Sequence, residues 1–319
     1  MSKRKHLSGS LSKQRGLTLL ELTITFSIGL FIAVAVTHVF SLNKGTSLLN
    51  LELAKIQESG RFAIDSIVRD LRLADNWGCA GLDSVISHTS DYTTNESIKI
   101  VNQDSPASDR IDIKGAMQIN RTVASIAADF DGDESIPITI TNEDKLKAFA
   151  ANPLMIGDCE KSDIFNGTVN GNTIQTGTTL SKGYDKRAFL YRPFTLSYYL
   201  NDQNQLVRNF NGVESPLADG VADFQLQYGI DTIPTDGETQ AGIYKTNPSA
   251  AEIPNIASIR VNLLMESEEG VVKGEPQQYS FNWEEKIDAG KGSEVLVQAT
   301  DKKIRKAFTS IIAIRNRIN

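Results

Sequence analysis

The feature that most limits what this chain can become is an apolar run near its start, with one carboxylate just inside its edge. From Leu22 to Leu42 there are 21 residues without Asp, Glu, Lys or Arg, and His38 is their only ionisable side chain. That length suffices for one helical crossing of a hydrocarbon layer about 30 Å thick. Glu21 stands at the N-terminal boundary of the run. An unpaired charge there costs several kcal/mol in lipid. A helix facing only lipid has no use for it, whereas a helix that docks against a cation does.

Charge orients the segment. Residues 1–16 carry Lys3, Arg4, Lys5, Lys13 and Arg15 and no acid. The positive-inside rule puts this leader in the cytoplasm and the rest of the chain across the membrane. A secretory signal peptide is a poorer description, because the apolar run exceeds the usual 7–15 residues and no small-x-small cleavage site follows it. The whole chain has a formal charge of −6, and loss of the five leader cations takes it to −11. Such an acidic product argues against nucleic acid as a partner. A length of 319 residues, 40% hydrophobic and 23% charged, belongs to a folded protein with room for a large head beyond the membrane.

Arg15-Gly16-Leu17-Thr18-Leu19-Leu20-Glu21, followed by apolar or small residues from Leu22 to Ala35, resembles the class III signal of type IV pilins and pseudopilins. The resemblance implies cleavage between Gly16 and Leu17 by a membrane prepilin peptidase, and N-methylation of the Leu17 amine. It also implies that Glu21 neutralises the amine of a neighbouring subunit as the helices pack. Several later stretches are similar to the PilW group of minor pilins. They are Arg69–Arg72 leading to Gly78-Cys79, Asp158–Phe165, Val221–Asp231, and Arg305–Phe308 followed by Ile314–Arg317. That group implies a low-abundance subunit at the fibre tip or in its initiating complex. Its implied partners are other minor pilins, the major pilin, the prepilin peptidase and the inner-membrane assembly platform. The implied location is the bacterial inner membrane, with the head in the periplasm, and then the pilus tip. Two other readings stand beside it: a minor pseudopilin of type II secretion, and a membrane-anchored calcium-dependent adhesin.

The expected fold is α+β and pilin-like, with one long N-terminal helix packed on an antiparallel β-rich head. Leu49, Leu53, Ile56, Ala63, Ile67, Leu71 and Ala74 recur at helical spacing, so the helix is expected to run from Leu17 to Ala74. Gly29, Gly45 and Gly60 are its soft points. The implied organisation is a leader at 1–16, an assembly half of the helix at 17–42, an amphipathic half at 43–76, and the head at 77–319. In the head, short β-like runs alternate with turn residues. Ser162–Lys186 and Ile230–Pro254 read as loops or hairpin excursions.

The remaining candidates are few. Cys79 and Cys159 lie beyond the membrane, where an oxidising compartment favours a bridge between them. Asp129, Asp131, Asp133 and Glu134 alternate around Gly132 and offer hard oxygen ligands for calcium, although the spacing is not that of an EF-hand. A solvated acidic turn is the plainer reading. His88 is the head's one histidine and sits in a polar run that reads as an exposed loop. Neither a zinc site nor a nucleophile-histidine pair is supported by so few ligands, and no cofactor is expected. Trp77 and Trp283 read as core or rim aromatics.

Overall fold

A computed structural model describes residues 18–92, 97–101, 108–118, 125–126, 135–139, 153–170, 173–184, 187–234, 240–281, 286–288, 296–314 and 316. Contacts divide the chain into one unit ending at Leu51 and another beginning at Glu52. One helix, α1 (Leu19–Leu71), contributes to both.

In the first unit every apolar side chain of α1 from Leu19 to Leu42 is exposed, Leu19 at 82% and Phe31 at 77%. This is the one described helix long and apolar enough to cross a membrane. Several of its hydroxyls bond back to the helix's own carbonyls. Thr25 Oγ1 donates to the Glu21 carbonyl at 2.8 Å, Ser27 Oγ to Thr23 at 2.8 Å, and Thr37 Oγ1 to Ala33 at 3.0 Å. Polar groups paired in this way enter an apolar medium at little cost.

In the second unit α1 is amphipathic in fact as well as in pattern. Ile56, Gly60, Ala63, Ser66, Ile67, Asp70 and Leu71 are buried, with Ala63, Ile67 and Leu71 at 0% exposure. Gly60 is a contact rather than a soft point: a Cβ there would lie 2.3 Å from the Phe308 ring. The helix stops at Leu71, short of the expected Ala74. Leu73 N–H and Ala74 N–H bond three residues back, to Asp70 and Leu71, and Asp75 takes a left-handed φ of 58°. Those tighter bonds close the last turn and redirect the chain.

The strands in chain order begin with β1 (Val85–Ser87), β2 (Ile98–Val101), β3 (Arg110–Gln118), β4 (Ser125–Ile126), β5 (Ser135–Thr139) and β6 (Leu154–Gly157). Next come β7 (Ser162–Phe165), β8 (Thr168–Asn170), β9 (Thr173–Gln175), β10 (Phe189–Leu200), β11 (Leu206–Phe210) and β12 (Val213–Ala218). The last are β13 (Val221–Ile230), β14 (Ile243–Lys245), β15 (Ile256–Glu266), β16 (Gln278–Ser280), β17 (Lys286–Asp288), β18 (Leu296–Gln298) and β19 (Arg305–Ala313).

The larger sheet runs β1-β7-β6-β10-β11-β12, with β3 on the other edge of β10 and β2 beyond it. A second sheet has the order β17-β14-β13-β15-β19. Two smaller sheets, β16-β18 and β4-β5-β9-β8, complete the described strands. All pairings are antiparallel except β1 with β7, which is parallel. The segment Ser162–Lys186, expected as loops or hairpin excursions, contains β7, whose four residues are all buried, and then the antiparallel pair β8 and β9. Thr168, Asn170 and Thr173 stand within β8 and β9 themselves.

Asp109 stitches the two main sheets together. Its N–H donates to the Phe224 carbonyl and its Oδ2 accepts from the Leu226 N–H, each at 2.8 Å. The Tyr228 hydroxyl accepts from the Ile100 N–H at 2.5 Å. Two cores form on the larger sheet, with neighbouring residues of β6, β7 and β10 falling alternately into one or the other. Trp77, Tyr92, Met155, Ile164 and Tyr191 make one, and Leu154, Phe165, Ile174 and Leu190 belong to another.

Candidate functional site

The exposed half of α1 begins with a cap. Thr18 Oγ1 accepts the Glu21 N–H at 3.3 Å, and the Leu22 N–H donates to the Thr18 carbonyl at 3.2 Å. Thr18-x-x-Glu21 is therefore an N-cap residue with an acid three positions on, the spacing of a capping box. Glu21 lies in the first helical turn, where the helix dipole favours a carboxylate. It is exposed amid an apolar surface, so its side chain is free to meet a group from outside the chain. Sequence reasoning named Glu21 and missed Thr18's capping role, although the spacing was there to be read. Gly16 and Leu17 lie outside the described residues. His38 is exposed on α1.

In the second unit the helix is locked to the head by a buried carboxylate. Asp70, 7% exposed, accepts the Tyr198 hydroxyl at 2.5 Å and Arg208 Nε at 2.7 Å. Tyr198 comes from β10 and Arg208 from β11, so one side chain ties α1 to two strands of the larger sheet. Burial and the Asp70 carboxylate push the Tyr198 hydroxyl far above its ordinary pKa. Burial pulls Arg208 down, but its bond and attraction to Asp70 outweigh this and raise it. Asp70 falls within the stretch Arg69–Arg72 noted in the sequence, but nothing there marks it as an anchor, because its partners are 128 and 138 residues away.

Past the helix the chain runs along β3, with Asp75 N–H donating to Lys114 and Ala116 N–H to Asn76. It reaches Cys79, which is bridged to Cys159 across a separation of 80 residues. The turn carrying Cys159 is itself fastened. Asp158 Oδ1 accepts the Glu160 and Lys161 N–H groups at 2.9 Å, and Asp158 Oδ2 accepts Lys182 Nζ at 2.8 Å. Burial raises the Asp158 carboxyl, but the Lys182 and backbone hydrogen bonds prevail and hold it below the usual range.

His88 is not in an exposed loop. Its side chain is 21% exposed and its Nε2 lies 2.7 Å from Oδ1 of Asp163, which is fully buried. Asp163 also accepts the Ser181 N–H, the Ser181 hydroxyl at 2.6 Å and the Tyr184 hydroxyl at 2.5 Å. The serine and the imidazole bond to the same carboxylate rather than to each other, which is not the order a nucleophile relay needs. The cluster instead joins the end of β1, β7 and the segment after β9. Trp77 is buried at 1% exposure, edge-on to Tyr92. Trp283 and the acidic stretch Asp129, Asp131, Asp133 and Glu134 lie outside the described residues. Among the described residues, no group of three or more His, Cys, Asp or Glu could hold a metal ion.

The described residues make a mixed α+β protein, with one long N-terminal helix, apolar over its first part, and a β-rich head. Residues 198–316 match the family model described as Type IV Pilus-assembly protein W. The matched stretch runs from the end of β10 through β19. Among solved structures, a type IV-like pilin from Thermus thermophilus aligns over 82% of this chain and 98% of its own, at 11% identity and a TM-score of 0.40. Comparison with curated proteins returns no match.

Proposed function

We propose that this protein is a minor pilin that helps to initiate type IV pilus assembly and occupies the fibre tip. The observation that carries this reading is the exposed apolar part of α1 before Leu51, with Glu21 as its single carboxylate, in a chain whose residues 198–316 match the PilW model. The precursor sits in the bacterial inner membrane with its head in the periplasm and is cleaved between Gly16 and Leu17. The Leu17 amine is then methylated. Glu21 meets the N-terminal amine of a neighbour, and that pairing sets the register of helix packing. Its neighbours are other minor pilins and the major pilin, gathered at the assembly platform. The head acts by its shape and surface rather than by catalysis.

A deletion strain tests the initiating role. Loss of surface pili is expected, and normal pilus numbers would overturn it. The Glu21→Ala variant tests the pairing. An amine left without its carboxylate in hydrocarbon costs several kcal/mol, so recovery of this protein in sheared fibres should fall by more than about tenfold. Membrane insertion and cleavage should remain. Wild-type recovery of that variant would reject the Glu21 contact.

A further inference from the structure

We propose that Arg260 is a receptor for a carboxylate, on the face of the five-stranded sheet turned away from α1, with Ser258 and Asn262 as neutral donors on either side of it. Strand alternation puts Ser258, Arg260 and Asn262 of β15 on one face. The register sets Gln225, Gln227 and Gly229 of β13 beside them, with Tyr244 of β14 next to Gly229. On the other side stand Thr309, Ile311 and Ala313 of β19. Phe308, one step out of phase with Thr309, lies against Gly60 of α1, so the helix packs on the opposite face.

The three side chains of β15 are buried and short of partners. Arg260 is 9% exposed; its Cζ lies 3.7 Å from the centre of the Tyr244 ring, and Nη1 reaches Gln227 Oε1 only at 3.5 Å. A guanidinium carries five N–H donors, yet among the described residues no carboxylate pairs with this one. Asp223 shares the face, but it stands opposite Leu264, four residues or about 13 Å along β15, and accepts the Ser108 hydroxyl and the Phe224 N–H. Burial pulls Arg260 below its ordinary pKa, against a smaller raising effect of Tyr244. Ser258 Oγ and Asn262 Nδ2 are also buried and have no hydrogen-bond partner among the described residues. Asn262 Oδ1 accepts the Thr309 hydroxyl at 2.9 Å, which leaves the amide nitrogen to donate elsewhere. A desolvated cation with no counter-charge is a cost to the fold, and an anion from outside the chain removes it.

The row lies beside an open strand. Thr309, Ile311 and Ala313, directly across the ladder from Asn262, Arg260 and Ser258, are exposed on the same face. Gly229 keeps the floor clear, because a Cβ there would lie 2.1 Å from Ser258 Oγ and 2.8 Å from the Tyr244 ring. The donors then select the occupant. With one face against Tyr244, Arg260 still offers its N–H fork edge-on, which fits the two oxygens of a carboxylate. A phosphate dianion calls for a second cation. Arg305 shares the face, but it stands opposite Glu266 and already bonds Glu266 and Asp301. One guanidinium among neutral donors suits a singly charged, planar anion.

The test uses the full chain in detergent micelles and needs no pilus. The probes are sodium acetate and a glycine-serine peptide bearing one glutamate. Their controls are sodium chloride at equal ionic strength and the same peptide with glutamine. With arginine side chains labelled for NMR, the Arg260 Nε–H signal is identified by its loss in Arg260→Gln. It should move and saturate with the carboxylates and stay still with the controls. Arg260→Gln removes an uncompensated buried charge, so without carboxylate it should melt no lower than wild type, and it should bind the probes at least about tenfold more weakly. Ser258→Ala should weaken binding by about threefold and leave the melting temperature unchanged. A response to acetate alone makes the ligand a small organic acid, and a response to the glutamate peptide makes it an acidic side chain of another polypeptide. A melting temperature several degrees lower in Arg260→Gln would mean that the chain already supplies the counter-charge, and would overturn the site. An unmoved Arg260 signal, or a tighter response to inorganic phosphate, would overturn the carboxylate.

Discussion

The two parts of α1 solve opposite problems with one backbone geometry. Before Leu51 the helix offers its apolar side chains to the outside and turns several of its hydroxyls back onto its own carbonyls. After Glu52 it hides one stripe and fixes it with Asp70. Each part holds one consequential carboxylate. Glu21 is exposed on a lipid-compatible surface, whereas Asp70 is closed in by Tyr198 and Arg208. A carboxylate satisfied within the chain builds a fold. A carboxylate left open on an apolar surface is a demand for a partner.

The largest expected break in this contrast is Asp70→Ala. It leaves the Tyr198 hydroxyl and the partly buried Arg208 without their acceptor, so we expect about 2–3 kcal/mol of lost stability. Denaturant unfolding of the second unit reads this, and membrane insertion should be untouched. A loss below about 0.5 kcal/mol would mean that Asp70 is no anchor.

The glycines give the next test, with opposite signs along one helix. Gly60→Ala puts a methyl group into the Phe308 ring and should cost about 1–3 kcal/mol. Gly29→Ala meets nothing within 4 Å in this chain. It should raise intrinsic helicity, by about 1 kcal/mol in a water-exposed helix. Equal effects on unfolding at the two positions would erase the distinction between a packed and an open half.

The smallest effect is a pH dependence confined to the head. The hydrogen bond and charge of Arg305 hold the Asp301 carboxyl down at about 2, below its ordinary value near 3.9. A depressed carboxylate contributes stability that is full above its unfolded pKa and is lost as pH falls from about 4 towards 2. Acid titration of wild type and Asp301→Asn should diverge least at pH 2 and most above pH 4. Parallel curves would remove Asp301 from the acid response.

How much of this was legible depends on the range of the interactions. The apolar run, the amphipathic stripe from Ile56 to Leu71 and the cap spacing Thr18-x-x-Glu21 are local patterns, and local patterns survive in a linear reading. His88 looked exposed because Ser87-His88-Thr89-Ser90-Asp91 is polar, yet Asp163, 75 residues on, draws its imidazole inward. β7 was missed because Ser162-Asp163-Ile164-Phe165 is short and half polar. What makes it a buried strand is its lodging between β1 and β6.

By itself the sequence determined that a helix must form here, which of its stretches suits lipid, and that Glu21 is the exceptional group on it. Apolar transfer and helical period act over neighbouring residues, so composition and spacing were enough. Only the tertiary structure decided that Asp70 is the anchor, that Gly60 is a contact, and that His88 turns inward to Asp163. Those outcomes depend on which distant strands come together, and hydrogen bonds between residues far apart in the chain leave no periodic trace in it.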